Sequence, residues 1–179
     1  TRMSEKLLSL TRFHPDEGSD CEITYFRPAI AKVERMLSTI ADMACVDLTA
    51  EIVTDSSILI LEDDLYQIIF NLGENGIKYN VPGGSLAIRL VRQEDNAVLT
   101  VSDTGMGIPR SSLDKIFDRF YRVDKARARQ TGGSGLGLAI VKDMVERNRG
   151  TITVSSSDTP PTGTVFTVTF PVFDVEEDA

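Results

Sequence analysis

Strand-like alternation and helical periodicity interleave along this 179-residue chain, but without the strict strand–helix–strand rhythm of a doubly wound sheet. Helical spacing predicts one helix over residues 30–44, with Ile30, Val33, Met36, Leu37 and Ile40 on its apolar face. A second opens at the acidic pair Asp63 and Asp64 and ends near Asn80, and a third runs from about Gly135 to Arg147. Strands are predicted at Ile23 and Tyr25, ended by Arg27 and Pro28, and over residues 46–53, 85–92, 97–102, 151–156 and 164–170, with a short apolar run at 58–61. No glycine-rich loop joins an early strand to its helix. The expected class is therefore α+β: a mixed sheet with helices on one face, in a two-layer α/β sandwich.

Hydrophobic residues at 41% and charged residues at 26% exclude wholesale disorder, and the length suits one domain with a short appendage. Residues 1–13 place Met3, Leu7, Leu8 and Leu10 at helical spacing with nothing nearby to cover them, as expected for the end of an upstream helix. Residues 14–21 are polar, acidic and broken by Pro15 and Gly18, a linker pattern. The globular unit is expected over 22–173, followed by an acidic tail at 174–179. A net charge of −8 speaks against a general nucleic-acid binder. Cys21 and Cys45 lack metal-ligand spacing and fit a reducing cytoplasm, and no apolar run is long enough to span a bilayer. A membrane connection, if there is one, is expected only through segments outside these residues.

Three polar segments carry the chemistry. In the second helix Asn71, Asn75 and Lys78 fall at i, i+4 and i+7 and share a face. Amide oxygens suit a hard cation such as Mg²⁺, and a lysine supplies a point charge for phosphate. Gly73 and Gly76 interrupt the same helix at a cost of about 2 kcal/mol against alanine, so a close approach or a loose helix end is expected there. After the strand at 97–102, Asp103 precedes Gly105, Gly107 and Ile108. These two glycines allow backbone close to a ligand, and the carboxylate can accept a directed hydrogen bond. Gly132, Gly133, Ser134, Gly135, Leu136, Gly137 and Leu138 then lead into the third helix, an anion-binding arrangement without the Lys-Ser/Thr of a Walker loop. Between them, residues 119–129 hold five cations and one acid, net +4 in a chain of net −8, which fits a mobile loop facing phosphates.

Taken in order, these segments resemble the ATP-binding catalytic domain of bacterial sensor histidine kinases, within the Bergerat-fold ATPases that include gyrase, MutL and heat-shock chaperones. Residues 71–80 are similar to the asparagine box, 103–109 to the first glycine box, 133–138 to the second, and 116–124 to the phenylalanine box. The resemblance covers about residues 22–171 and implies ATP and Mg²⁺ as cofactors. It assigns Asn75 to the metal with Asn71 beside it, Lys78 and Arg122 to the phosphates, Asp103 to the adenine amino group and Tyr79 to the ring. It places the amides of Gly135, Leu136 and Gly137 at the phosphates and makes Phe117 and Phe120 anchors of a lid over about 122–134. Three positions depart from the family pattern: Gly73 where leucine is usual, Gly76 where alanine is usual, and Asn80 in place of threonine or serine.

The resemblance implies transfer of the γ-phosphoryl group to a histidine on a helical hairpin of the same protein, dimeric at full length, and relay to a response regulator. His14 is the only histidine, and Pro15 after it disfavours helical geometry there, so the acceptor is expected outside this chain. Two other functions compete. Relatives that hydrolyse ATP carry a glutamate as general base where this chain has Asn71, which has no ionisable group. A degenerate nucleotide-sensing or partner-binding module would not need every proposed ligand to be present.

Overall fold

A computed structural model describes residues 21–123 and 133–175. The order of elements is β1 (Ile23–Tyr25), α1 (Phe26–Met43), β2 (Asp47–Ile52), β3 (Ser57–Leu59), α2 (Glu62–Lys78), β4 (Ser85–Gln93), β5 (Asn96–Asp103), a short 3₁₀ turn (Arg110–Ser112), α3 (Gly137–Arg147), β6 (Thr151–Ser157) and β7 (Gly163–Pro171). Five strands form one sheet in the order β2-β4-β5-β7-β6, with β2 parallel to β4 and every other pair antiparallel. β1 and β3 form a separate antiparallel pair. The mixed sheet and helical layer match the expected α+β class. The upstream helix, most of the linker and the end of the acidic tail lie outside the described residues.

Period-two burial along β4, β5 and β7 sends Leu86, Ile88, Leu90, Leu99, Val101, Phe166, Val168 and Phe170 inward. Against them the helices present Phe26, Ile30, Val33 and Leu37 of α1, Leu65, Ile68, Ile69 and Leu72 of α2, and Ile140, Val141 and Val145 of α3. Helix α2 packs against both α1 and α3. Its N-terminus carries Glu62, Asp63 and Asp64 and its last turn Lys78, charges that complement the helix dipole at both ends.

Two helix starts and one apolar face differ from expectation. Helix α1 starts at Phe26, because Pro28 falls in the first turn, where an amide would lack an intrahelical partner anyway. Its buried face is consequently Phe26, Ala29, Ile30, Val33, Leu37 and Ala41, which leaves Met36 and Ile40 exposed. Helix α3 starts at Gly137 rather than Gly135, whose φ of 72° is left-handed.

The two glycines of α2 are close-approach positions. A Cβ on Gly73 would collide with Leu37 Cδ1 of α1, and one on Gly76 would lie 2.5 Å from Leu86 Cδ1 of β4. Both glycines are buried. Their departure from the family pattern is thus matched by bulk on the facing elements. Gly73→Ala gains about 1 kcal/mol of helix propensity but overpacks a filled core, so a net loss of about 1–2 kcal/mol is expected in denaturant unfolding. In a Leu37→Ala background the same substitution becomes neutral or stabilising, and a double-mutant cycle reads that coupling.

Candidate functional site

Helix α2 is amphipathic in an unusual sense: one face is core and the opposite face is chemistry. Asn71, Asn75 and Lys78 are half-buried on that second face, as their spacing predicted. Asn71 Nδ2 donates to Gln67 O at 2.9 Å, which turns its Oδ1 outward, 3.9 Å from where a Cβ on Gly137 would stand. Among the described residues the Asn75 side chain makes no hydrogen bond. The start of α3 therefore faces Asn71 of α2.

The cations converge at the same end. A Cβ on Gly133 would lie 2.5 Å from Lys78 Nζ and 3.3 Å from Arg122 Nη2. Burial holds the Lys78 ammonium below its usual value of 10.5, and the positive charge of Arg122 pushes it the same way, with Glu74 opposing both. Ser134 Oγ is buried and lacks a hydrogen-bond partner among the described residues. Two cations, an orphaned hydroxyl and a glycine-rich helix start thus surround one point, a set of donors suited to a multiply charged anion. Leu136 is fully buried and Leu138 packs on the core, so any ligand contact they make is through backbone.

The other end is built by Asp103, the last residue of β5. Its carboxylate accepts the Gly105 amide at 2.8 Å, and the backbone of Thr164, paired with it across β5 and β7, favours its charged form too. Burial nevertheless outweighs both and raises the Asp103 carboxyl above the usual 3.8. Gly76 keeps α2 against this residue, since a Cβ there would stand 3.6 Å from Asp103 Oδ2. Gly105 is packed on the Tyr79 carbonyl, and Met106 N–H donates to that carbonyl at 3.1 Å. Gly107, at φ 74°, touches the Ser157 carbonyl so closely that no side chain fits. Tyr79 is 42% exposed, with its ring 5.3 Å from Lys78 Nζ, and Ile108 lies partly buried against the core. Asn80 Nδ2 donates to the Gly76 and Ser85 carbonyls and its Oδ1 accepts Val81 N–H, which closes the turn after α2.

Of the two phenylalanines expected to anchor a lid, only Phe117 has its ring packed on the domain, edge-on to Phe166 at 6.3 Å with Lys142 over its face at 5.7 Å. The Phe120 ring is 64% exposed; this residue is held instead through its backbone, at φ 64°, by an amide that donates to Gly135 O at 3.0 Å. Residues 124–132 of the expected lid lie outside the described residues.

Sequence reasoning missed Ser156, Gly163 and Thr164. Thr164 is 5% exposed, a polar side chain on the inward face of a strand whose other inward residues are Phe166, Val168 and Phe170. That break in an apolar alternation was the available signal.

Residues 60–174 match the family model described as "Histidine kinase-, DNA gyrase B-, and HSP90-like ATPase". The sensor histidine kinase RppB of Synechocystis is 44% identical over 114 residues, which cover 64% of this chain but 25% of that protein. The mycobacterial sensor histidine kinase MprB has a similar structure, with a TM-score of 0.77 at 27% identity over 86% of this chain and 100% of that one. ThkA, solved in complex with the response regulator TrrA, shares the fold at a TM-score of 0.74 and 20% identity, over 96% of this chain and 48% of that one. This chain spans about a quarter of the length of RppB. The chain belongs to this histidine kinase-, DNA gyrase B- and HSP90-like ATPase family, and the curated proteins it is similar to are sensor histidine kinases.

Proposed function

We propose that this domain binds ATP with Mg²⁺ across the α2 face and presents the γ-phosphoryl group to a histidine outside these residues. The observation that carries the reading is the placement of Lys78, Arg122 and the orphaned Ser134 hydroxyl around Gly133, with Asn71 facing Gly137 further along the same segment. Asp103, at the far end of the same groove, accepts the adenine amino group while Tyr79 covers the ring. Asn75 and Asn71 fit the metal, because neutral amide oxygens beside phosphates leave room for the water ligands that Mg²⁺ retains. Bound there, the ion neutralises charge on the phosphates. Among the described residues no group of three His, Cys, Asp or Glu side chains could hold a metal alone.

Phosphoryl transfer asks the protein mainly to position the phosphates and stabilise charge. The histidine nitrogen forms the new bond to γ-phosphorus as the bond to the bridging oxygen breaks, and ADP leaves with that electron pair. Lys78, Arg122 and the amides near Gly135 and Gly137 hold the oxygens in place. Hydrolysis in place of transfer would need a base to activate water, and Asn71 cannot be one. The acceptor is a histidine on a helical hairpin of the same protein in its dimeric form. The phosphoryl group then passes to a response regulator, consistent with the regulator complex of ThkA. No helix among the described residues is long and apolar enough to cross a membrane. The domain works in the cytoplasm, where ATP is supplied.

Calorimetric titration with a non-hydrolysable ATP analogue tests this reading. Saturable binding is expected, tighter with Mg²⁺ than without. Asp103→Ala weakens it by about 10- to 100-fold, the worth of a hydrogen bond to a charged group, and Asn75→Ala loses the Mg²⁺-dependent part. Both variants retain the wild-type far-ultraviolet circular dichroism. Unchanged affinity in either variant refutes the assignment.

Lys78 sets the pH dependence. Its value in the free protein lies below the usual one, and triphosphate raises it again, so between those values binding takes up a proton. Affinity is therefore expected to be flat at lower pH and to fall as pH rises through the lowered value. Lys78→Arg, charged throughout, flattens the profile. Proton uptake is read from titrations in buffers of different ionisation enthalpy.

A further inference from the structure

Ser156 lies near the end of β6, opposite Thr164 of β7. Its Oγ is 2.8 Å from three partners: the Ile108 amide, the Gly163 carbonyl and Thr164 Oγ1. A hydroxyl offers one proton and two lone pairs. If the proton goes to Gly163 O, the lone pairs take Ile108 N–H and Thr164 Oγ1–H, and all three contacts are satisfied at once.

The three partners belong to two parts of the wall around Asp103, the loop after β5 and the start of β7. Ile108 is in the loop after β5. Gly163 sits on the Asp103 carbonyl so closely that a Cβ would collide with it. Thr164 is paired with Asp103 across β5 and β7, and its backbone amide favours the charged form of the carboxylate. Next to Ser156, the Ser157 carbonyl presses on Gly107 of the same loop. One side chain therefore ties the loop to the strand whose amide favours the charged carboxylate.

We propose that Ser156 is a positioning residue for recognition of the base: it fixes the spacing between the 104–109 loop and Asp103, and so the preference for adenine, without acting on the phosphate end. This deepens the nucleotide-binding reading and rests on it.

The test compares wild type, Ser156→Ala, Ser156→Thr, Ser156→Cys and Asp103→Ala by calorimetry. The ligands are a non-hydrolysable ATP analogue, its guanine counterpart and inorganic tripolyphosphate, each with Mg²⁺. Ser156→Ala leaves a buried amide and carbonyl unpaired and is expected to weaken the ATP analogue about tenfold. Tripolyphosphate stays unchanged, so the adenine-to-guanine ratio shrinks. Ser156→Thr, which keeps the hydroxyl, restores the ratio. Ser156→Cys, with a weakly bonding thiol of similar size, falls between and carries the test if the alanine variant does not fold. An unchanged ratio in the alanine and cysteine variants overturns the proposal, as does an equal loss for all three ligands with a lowered melting temperature. If Asp103→Ala removes binding while Ser156→Ala does not alter it, only the positioning role fails. If wild type binds no nucleotide, or Asp103→Ala binds like wild type, the nucleotide reading fails and takes this one with it.

Discussion

At Gly76 helix α2 comes down on β4 so closely that a single methyl would meet Leu86 at 2.5 Å. That approach seats α2 on the sheet with Gly76 against Asp103 at the end of β5, while Asn71 and Lys78 face the segment that leads into α3. Gly73 does the same toward α1, with Leu37 filling the space its missing side chain leaves. Two glycines in one helix would ordinarily loosen it. Here the lost propensity is offset by Leu37 and Leu86, both fully buried and worth about 1.5–3 kcal/mol each in burial free energy. The helix that carries the site face is thus packed closely on both α1 and β4 at its glycines.

The same economy of space sets the electrostatics. Asp103 and Lys78 both carry charge where burial disfavours it, the carboxyl raised and the ammonium lowered. Each is under-compensated: two backbone amides serve Asp103, and Lys78 has a second cation, Arg122, for a neighbour. A ligand with a hydrogen-bond donor at one end and anionic oxygens at the other relieves both costs at once. Adenine at one end and a triphosphate at the other have that polarity. On the proposed reading, the free energy that burial holds against these two groups becomes binding energy when the nucleotide covers them.

Much of this was legible beforehand where chemistry and periodicity coincide. The i, i+4, i+7 spacing of Asn71, Asn75 and Lys78 states which helix face they share, and the strand end at Asp103 is marked by the apolar run before it. What sequence could not state was which partner fills the space above a glycine, since Leu37 and Leu86 lie far from Gly73 and Gly76 along the chain. The start of α1 was misplaced because Pro28 reads locally as a breaker and is tolerated in a first turn. Met36 and Ile40 fit the helical period but sit at the edge of the buried arc, where periodicity alone does not separate core from surface. The roles of Ser156 and Thr164 depend on cross-strand register, which pairs Thr164 with Asp103 on one side and with Ser156 on the other. Register is a tertiary property, and a serine in a run of three reads as a polar strand end.

The identity of residue 71 bears on what the bound nucleotide can do. Water is a poor nucleophile until a base takes its proton, so a hydrolase of this architecture needs an ionisable group at the γ-phosphate. A neutral imidazole already carries a lone pair on one ring nitrogen and attacks without prior deprotonation. An asparagine at this position can orient and coordinate but cannot accept a proton, which slows reaction with water without penalising reaction with histidine. The nearest carboxylate along the helix, Glu74, acts on Lys78 and raises its basicity, so its charge supports the cation. On the proposed reading, a domain arranged in this way keeps its nucleotide intact until an imidazole arrives, and the choice of acceptor follows from withholding a base as much as from the groups that bind the phosphates.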